Sequence, residues 1–289
     1  MGKIPVGKTI AYAYGFTFGN FLTVLGLSWF PLVLMALAAY LALPTYFAGV
    51  QAMLISGDPS GLVTGGGLMF LFGIVVFAGF IMIYVAIARQ ALGLRSGPAF
   101  FYFSLDAAFW RLLLAYLLTV VIAIAGSILI AIVAGILGVV FAPLAGLVVI
   151  VALFGMVYVM LRLTFLQAPL AVAEERQTVR RSWSLGKGNF WRIFAILLGI
   201  LIPMAILQLV IQISMFSSLA IVPPPENASP AEAAAFMVQM ASQIAALAPI
   251  LIPIAILFYS AMIAMIVSAS AFAYRSLVPA PEGTAAEFA

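Results

Sequence analysis

Seven of the chain's twenty charged residues stand in one stretch, Glu174 to Phe194 (EERQTVRRSWSLGKGNFWRIF): Glu174, Glu175, Arg176, Arg180, Arg181, Lys187 and Arg192. The rest is so apolar that this stretch must sit in water or among lipid headgroups. Of the 289 residues, 66% are hydrophobic and 7% charged, where soluble domains carry about a quarter charged residues. A water-soluble fold is excluded, and the runs flanking the stretch belong in a bilayer.

Six such runs can be read, each near the roughly 20 residues that cross a bilayer: about 21–46, 66–88, 112–140, 144–161, 191–216 and 244–274. Pro31, Pro203, Pro249 and Pro253 fall inside them and predict local kinks. Between the runs, 48–65 reads as a Gly- and Ser-rich loop around Asp58, Ala142-Pro143 as a tight turn, and 222–232 as an acidic, proline-rich loop. Each odd span follows an aromatic segment, near residues 5–19, 97–108 and 172–186. In the first, Ile10, Tyr14, Phe18 and Phe21 share a helical face. An open-edged strand has no place at a bilayer, so interfacial helices with aromatic anchors are expected. The expected fold class is all-α, a polytopic membrane domain of six transmembrane helices over residues 1–275, with 276–289 a disordered cytoplasmic tail.

Charge predicts the orientation. The N-terminal segment, the 2–3 and 4–5 loops and the C-terminus hold all twelve Lys and Arg with five acids, while the other loops hold only Asp58, Glu226 and Glu232. Cations in short loops stay cytoplasmic, so both termini are expected inside. That requires an even number of spans, in agreement with the six counted from hydropathy.

The span openings resemble one another. Asn20-Phe21-Leu22, Phe109-Trp110-Arg111 and Asn189-Phe190-Trp191-Arg192 each begin an odd span, and Arg89, Arg162 and Arg275 close the even ones. The pattern reads as three hairpin repeats, about 1–95, 96–172 and 173–275, each led by its interfacial amphipathic segment. A polar residue capping the entering helix, aromatics at the headgroups and a snorkelling arginine suit any membrane hairpin, so descent from one repeated unit and convergence both remain open.

Arg162, Pro169, Glu174/Glu175 and then Ser182-Trp183-Ser184-Leu185-Gly186-Lys187-Gly188-Asn189-Phe190-Trp191-Arg192 resemble the pattern of the membrane domain associated with bacterial glycerophosphoryl diester phosphodiesterases and its inner-membrane relatives. The overlap covers about 35 residues by this pattern of matched positions. The resemblance implies a helical protein of the bacterial inner (cytoplasmic) membrane. The resemblance covers the membrane part alone and carries no phosphodiesterase activity across.

Candidate sites are few. Without cysteine or histidine, thiolate and most imidazole metal sites are excluded, and no cofactor is expected. Arg176, Arg180, Arg181, Lys187 and Arg192 form a candidate contact for anionic phospholipid headgroups, each cation gaining about 1 kcal/mol near an anionic leaflet; topology alone would also require them. Glu174 and Glu175 are expected to pair with these arginines. As neighbours on a helix they would point about 100° apart, which argues against acid–base chemistry. Gln208 and Gln212, at i and i+4, are candidates for a polar path or an interhelical hydrogen bond. The stripes Ser127-xxx-Ala131-xxx-Gly135 and Ser260-xxx-Ala264-xxx-Ser268 are expected to pack within the monomer. No Asp, Glu, Lys or Arg sits mid-span, which disfavours proton- or ion-coupled transport. The leading expectation is a non-enzymatic inner-membrane protein that supports membrane organisation or a complex with other membrane proteins, its partners the lipid bilayer and no nucleic acid. The alternative is a carrier or flippase-like handler of lipidic or amphipathic small molecules.

Overall fold

A computed structural model of the chain describes residues 2–95, 100–174, 178–218 and 229–278. The described residues form nine helices and no strand: α1 (Val6–Gly19), α2 (Phe21–Ser56), α3 (Ser60–Ala91), α4 (Ala107–Val140), α5 (Ala142–Thr164), α6 (Gln167–Ala173), α7 (Thr178–Leu185), α8 (Phe190–Ser218) and α9 (Pro230–Leu277). Six of these helical stretches are long and apolar enough to cross a membrane. The protein is an all-α, multi-pass membrane protein, as its hydropathy requires. Every described Lys and Arg lies in or just before α1, at the same-end termini of the long helices or in the segments joining them.

The helices cap themselves less uniformly than their similar openings suggest. Asp106, three residues before Phe109, is the polar cap expected of a span opening: its carboxylate accepts the Phe109 N–H at 3.1 Å and pairs with Arg89. Burial pushes its pKa up, but the Phe109 N–H and the Arg89 guanidinium outweigh this and hold it below the usual carboxylate value. Asn20 does not cap α2. Its amide turns back and donates to the Phe16 carbonyl at 3.0 Å, closing α1 instead. Asn189 does not cap α8 with its side chain either; it spans 185 residues to accept the Ile4 N–H at 3.1 Å. The three openings look alike and do three different jobs.

The aromatic segments also differ from one another. Residues 5–19 are helical, but α1 is packed rather than laid flat. Thr9, Ala13 and Thr17 form its buried face, not the aromatic row. Ile4 meets Asn189 and the Tyr14 hydroxyl donates to the Gly199 carbonyl, so α1 runs beside α8 in the same direction. Of the second segment, 97–99 lie outside the described residues. Residues 100–105 are not helical, and Phe100 and Phe101 lie against Trp29 and Phe30, where the Trp29 indole donates to the Phe100 carbonyl at 2.7 Å. The third segment is split between the end of α6 and α7. Parts of the 222–232 loop and the 276–289 tail also fall outside the described residues.

The expected loop over 48–65 is a helical hairpin. α2 continues to Ser56, Gly57 turns with φ 71°, and α3 starts at Ser60. Its glycines serve close approach rather than irregularity. A Cβ on Gly65 would stand 2.6 Å from the Tyr46 Cα, and one on Gly49 would overlap the Gly61 backbone. Such contacts draw α2 and α3 together along their whole length, as small residues do between membrane helices.

The other helices converge at the cationic end and separate away from it. Among described residues, α4 has no buried side chain beyond Thr119, α5 none before Arg162, α8 none beyond Met204 and α9 none before Phe258. The two apolar clusters lie in that end: one joins α1, α6, α8 and α9, the other α2, α3, α4, α6 and α9. The Ser260–Ser268 stripe packs inside, with Ser28 and Ser260 hydroxyls 2.6 Å apart. The Ser127–Gly135 stripe does not. Ser127, Ala131 and Gly135 are all exposed, because the α4–α5 hairpin leans away from the bundle there.

Candidate functional site

The residues of the central stretch assemble around Arg162, which is 6% exposed rather than reaching for headgroups as a snorkelling side chain would. Its guanidinium lies 3.7 Å over the Trp183 ring and donates to the Trp183 carbonyl at 2.8 Å and the Tyr158 hydroxyl at 2.7 Å. In return the Ser182 hydroxyl lies 2.9 Å and 2.7 Å from the Arg162 and Leu163 carbonyls, sharing its one proton between them. Those carbonyls are in the last turn of α5, where no amide of its own helix can reach. The Ser270 hydroxyl from α9 serves the Phe165 carbonyl in the same way. Gly188, at φ 78°, then turns the chain from α7 into α8. Arg162 and the Ser-Trp pair thus form one physical unit, a reciprocal tie that holds α7 on the end of α5.

The candidate headgroup cations are placed unevenly. Arg176 and Glu175 lie outside the described residues. Arg180 and Lys187 are exposed. Arg181 is half-exposed and 3.5 Å from Glu174, the pairing expected from sequence; Glu174 also accepts from the Tyr274 hydroxyl at 3.1 Å. Arg192 is engaged by the protein, donating to the Ile4 carbonyl at 2.8 Å, while Asn189 holds the Gly2 carbonyl. Gln208 and Gln212 stand on the part of α8 that carries no buried side chain among the described residues, and neither hydrogen-bonds a described residue.

Sequence reasoning did not find the feature with most chemical character. A cavity of about 250 Å³ opens where α3, α4, α5, α6, α8 and α9 meet. Tyr84 and Tyr116 stand on one side, their ring centroids 6.0 Å apart. Thr164, Phe165 and Ala168 come from the break between α5 and α6, and Leu197, Ile266, Val267 and Ser270 complete the lining. Leu197 and Ser270 are each seven residues from the cationic ends of α8 and α9, about 10 Å deep at 1.5 Å per residue. That depth lies within a hydrocarbon core roughly 30 Å thick.

The lining is apolar with a few hydroxyls and no charge. Thr164 donates to the Met160 carbonyl at 2.9 Å and Ser270 to Phe165, so both protons are committed. The Tyr84 and Tyr116 hydroxyls hydrogen-bond no described residue. Outside the lining, Gln167 of α6 is fully buried; its amide nitrogen donates to the Thr119 hydroxyl at 2.8 Å and its oxygen has no partner among the described residues. The two tyrosines lie in different spans, 32 positions apart, at no spacing that periodicity would single out. Among the described residues no cluster of carboxylates could hold a metal ion. No family model, curated protein or solved structure matches the chain.

Proposed function

We propose that this protein is a non-enzymatic handler of lipidic or amphipathic small molecules, binding part of such a molecule inside the membrane. The observation that carries the reading is the hydroxyl-bearing cavity where the spans converge. Ligand pockets combine an apolar wall with a few placed polar groups and usually enclose about 300–1,000 Å³. At about 250 Å³ the cavity suits one end of an amphipath while the rest lies among the parted helices. The absence of a mid-span charge fits a substrate that needs no coupled ion. The proposal places the protein in a bacterial inner membrane, termini on the cytoplasmic side, in keeping with its cation distribution and its resemblance to the phosphodiesterase-associated membrane domains.

The test is photo-crosslinking in nanodiscs with photoactivatable diacylglycerol, phosphatidylcholine and phosphatidic acid. At least one should label peptides containing Tyr84, Tyr116 or Ile266–Ser270, and Leu197→Trp, which fills the cavity, should suppress that labelling. Labelling indifferent to Leu197→Trp would refute the proposal. The organising role has its own support in the α4–α5 hairpin, whose outer two thirds carry no buried side chain among the described residues. It would show as a stable complex with another membrane protein that α4–α5 substitutions abolish.

A further inference from the structure

Resting on the reading of this cavity as a binding site, we infer that its ligand carries an uncharged oxygen head, a hydroxyl or a carbonyl, and not a phosphate. Tyr84 and Tyr116 line the cavity and their phenolic O–H groups have no partner among the described residues, while the two other hydroxyl side chains there have already given their protons to backbone carbonyls. The site therefore has donors to offer and needs an acceptor. No Lys or Arg lines it. The nearest cation along the chain, Arg162, is turned to Trp183 and Tyr158. An anionic head placed here would be a charge buried without a counter-charge, which is strongly unfavourable. A neutral carbonyl or hydroxyl meets the phenols at no such cost, and an unmet phenol in an apolar wall disfavours a plain hydrocarbon end.

Two kinds of lipid carry that head: neutral glycerolipids, with ester carbonyls and a free hydroxyl, and prenyl quinones, with ring carbonyls. The experiment is binding of radiolabelled dioleoylglycerol, ubiquinone-2 and dioleoylphosphatidic acid to the purified full chain, comparing wild type, Tyr84→Phe/Tyr116→Phe and Leu197→Trp. The Phe pair keeps ring packing and removes only the two donors. At least one neutral probe should bind wild type, weaken about tenfold in the Phe pair, as two modest hydrogen bonds would give, and be lost in Leu197→Trp. Which neutral probe responds identifies the source. Phosphatidic acid binding as tightly as the neutral probes and blocked by Leu197→Trp would overturn the neutral-head inference while leaving the cavity as a binding site. Neutral-probe binding unchanged in the Phe pair would overturn it as well. Binding that Leu197→Trp leaves untouched for every probe would overturn both.

Discussion

Replacing Arg162 by Lys keeps the positive charge and removes the geometry. The guanidinium now stacks 3.7 Å over Trp183 while donating to the Trp183 carbonyl and the Tyr158 hydroxyl. A desolvated cation–π contact is worth about 2 kcal/mol, and a hydrogen bond from a charged donor about 1.5–3 kcal/mol. An ammonium can keep one of these contacts but lacks the planar fork needed for both. The expected loss is about 2–3 kcal/mol in the docking of α7, or roughly 30–150-fold in its opening equilibrium. Hydrogen exchange of the 178–185 peptide in nanodiscs reads that equilibrium directly. Arg180→Lys, at an exposed position on the same helix, serves as the control and should exchange like wild type. If Arg162→Lys leaves exchange over 178–185 within about twofold of wild type, the tie does not hold α7 and the reasoning fails.

The remaining expectations concern other parts of the fold. Gly65→Ala should destabilise the protein by about 1–3 kcal/mol through overpacking, because the new Cβ would press on Tyr46; Gly66→Ala, which meets nothing within 4 Å, should not. Thermal unfolding of the two variants compares them. Asp106 has its pKa lowered in the folded state from 3.8. Its contribution is therefore complete above that unfolded value and lost as pH falls through the folded one, so Asp106→Asn should flatten the acid limb of a stability profile below about pH 4. For topology, single cysteines at Ser60 and Lys187, both exposed, should label from opposite sides, with Lys187 cytoplasmic; labelling of both from one side would refute the orientation. Replacing Arg176, Arg180 and Arg181 together by Lys should leave binding to anionic nanodiscs unchanged if these cations serve topology, since Lys obeys the same rule. A loss confined to one phospholipid would make the loop a specific site.

What could be read from residues alone follows from which forces are local. Span number came from hydropathy, because a bilayer admits few alternatives to a long apolar helix. The Asp106 cap was legible because cap and helix are three residues apart. Asn20 and Asn189 have the same local signature, but tertiary partners claim their side chains, and no window of sequence shows Ile4 beside Asn189. Gly49, Gly61 and Gly65 were read as loop for a related reason. Glycine signals both a turn and a close approach, and only the partner helix distinguishes them. Arg162 was assigned to the headgroups by its place at a span's end, while Trp183, 21 positions on, turns it inward. The cavity needed six elements to exist at all, so neither tyrosine stood out beforehand.

A bundle whose buried side chains, α2 and α3 apart, interlock in one half only will respond unevenly to the thickness of its membrane. Mismatch between a helix and the hydrocarbon costs fractions of a kcal/mol per Å and is usually relieved by tilt. In a uniformly packed bundle the helices must tilt together, and the core resists. Here the α4–α5 hairpin and the outer part of α8 lean from a fixed base, so they can follow a thinner or thicker bilayer separately while the contacts among α1, α6 and α9 stay as they are. Stretch or a change of lipid would then register first as a change in the space between those free ends, in the leaflet away from the cations.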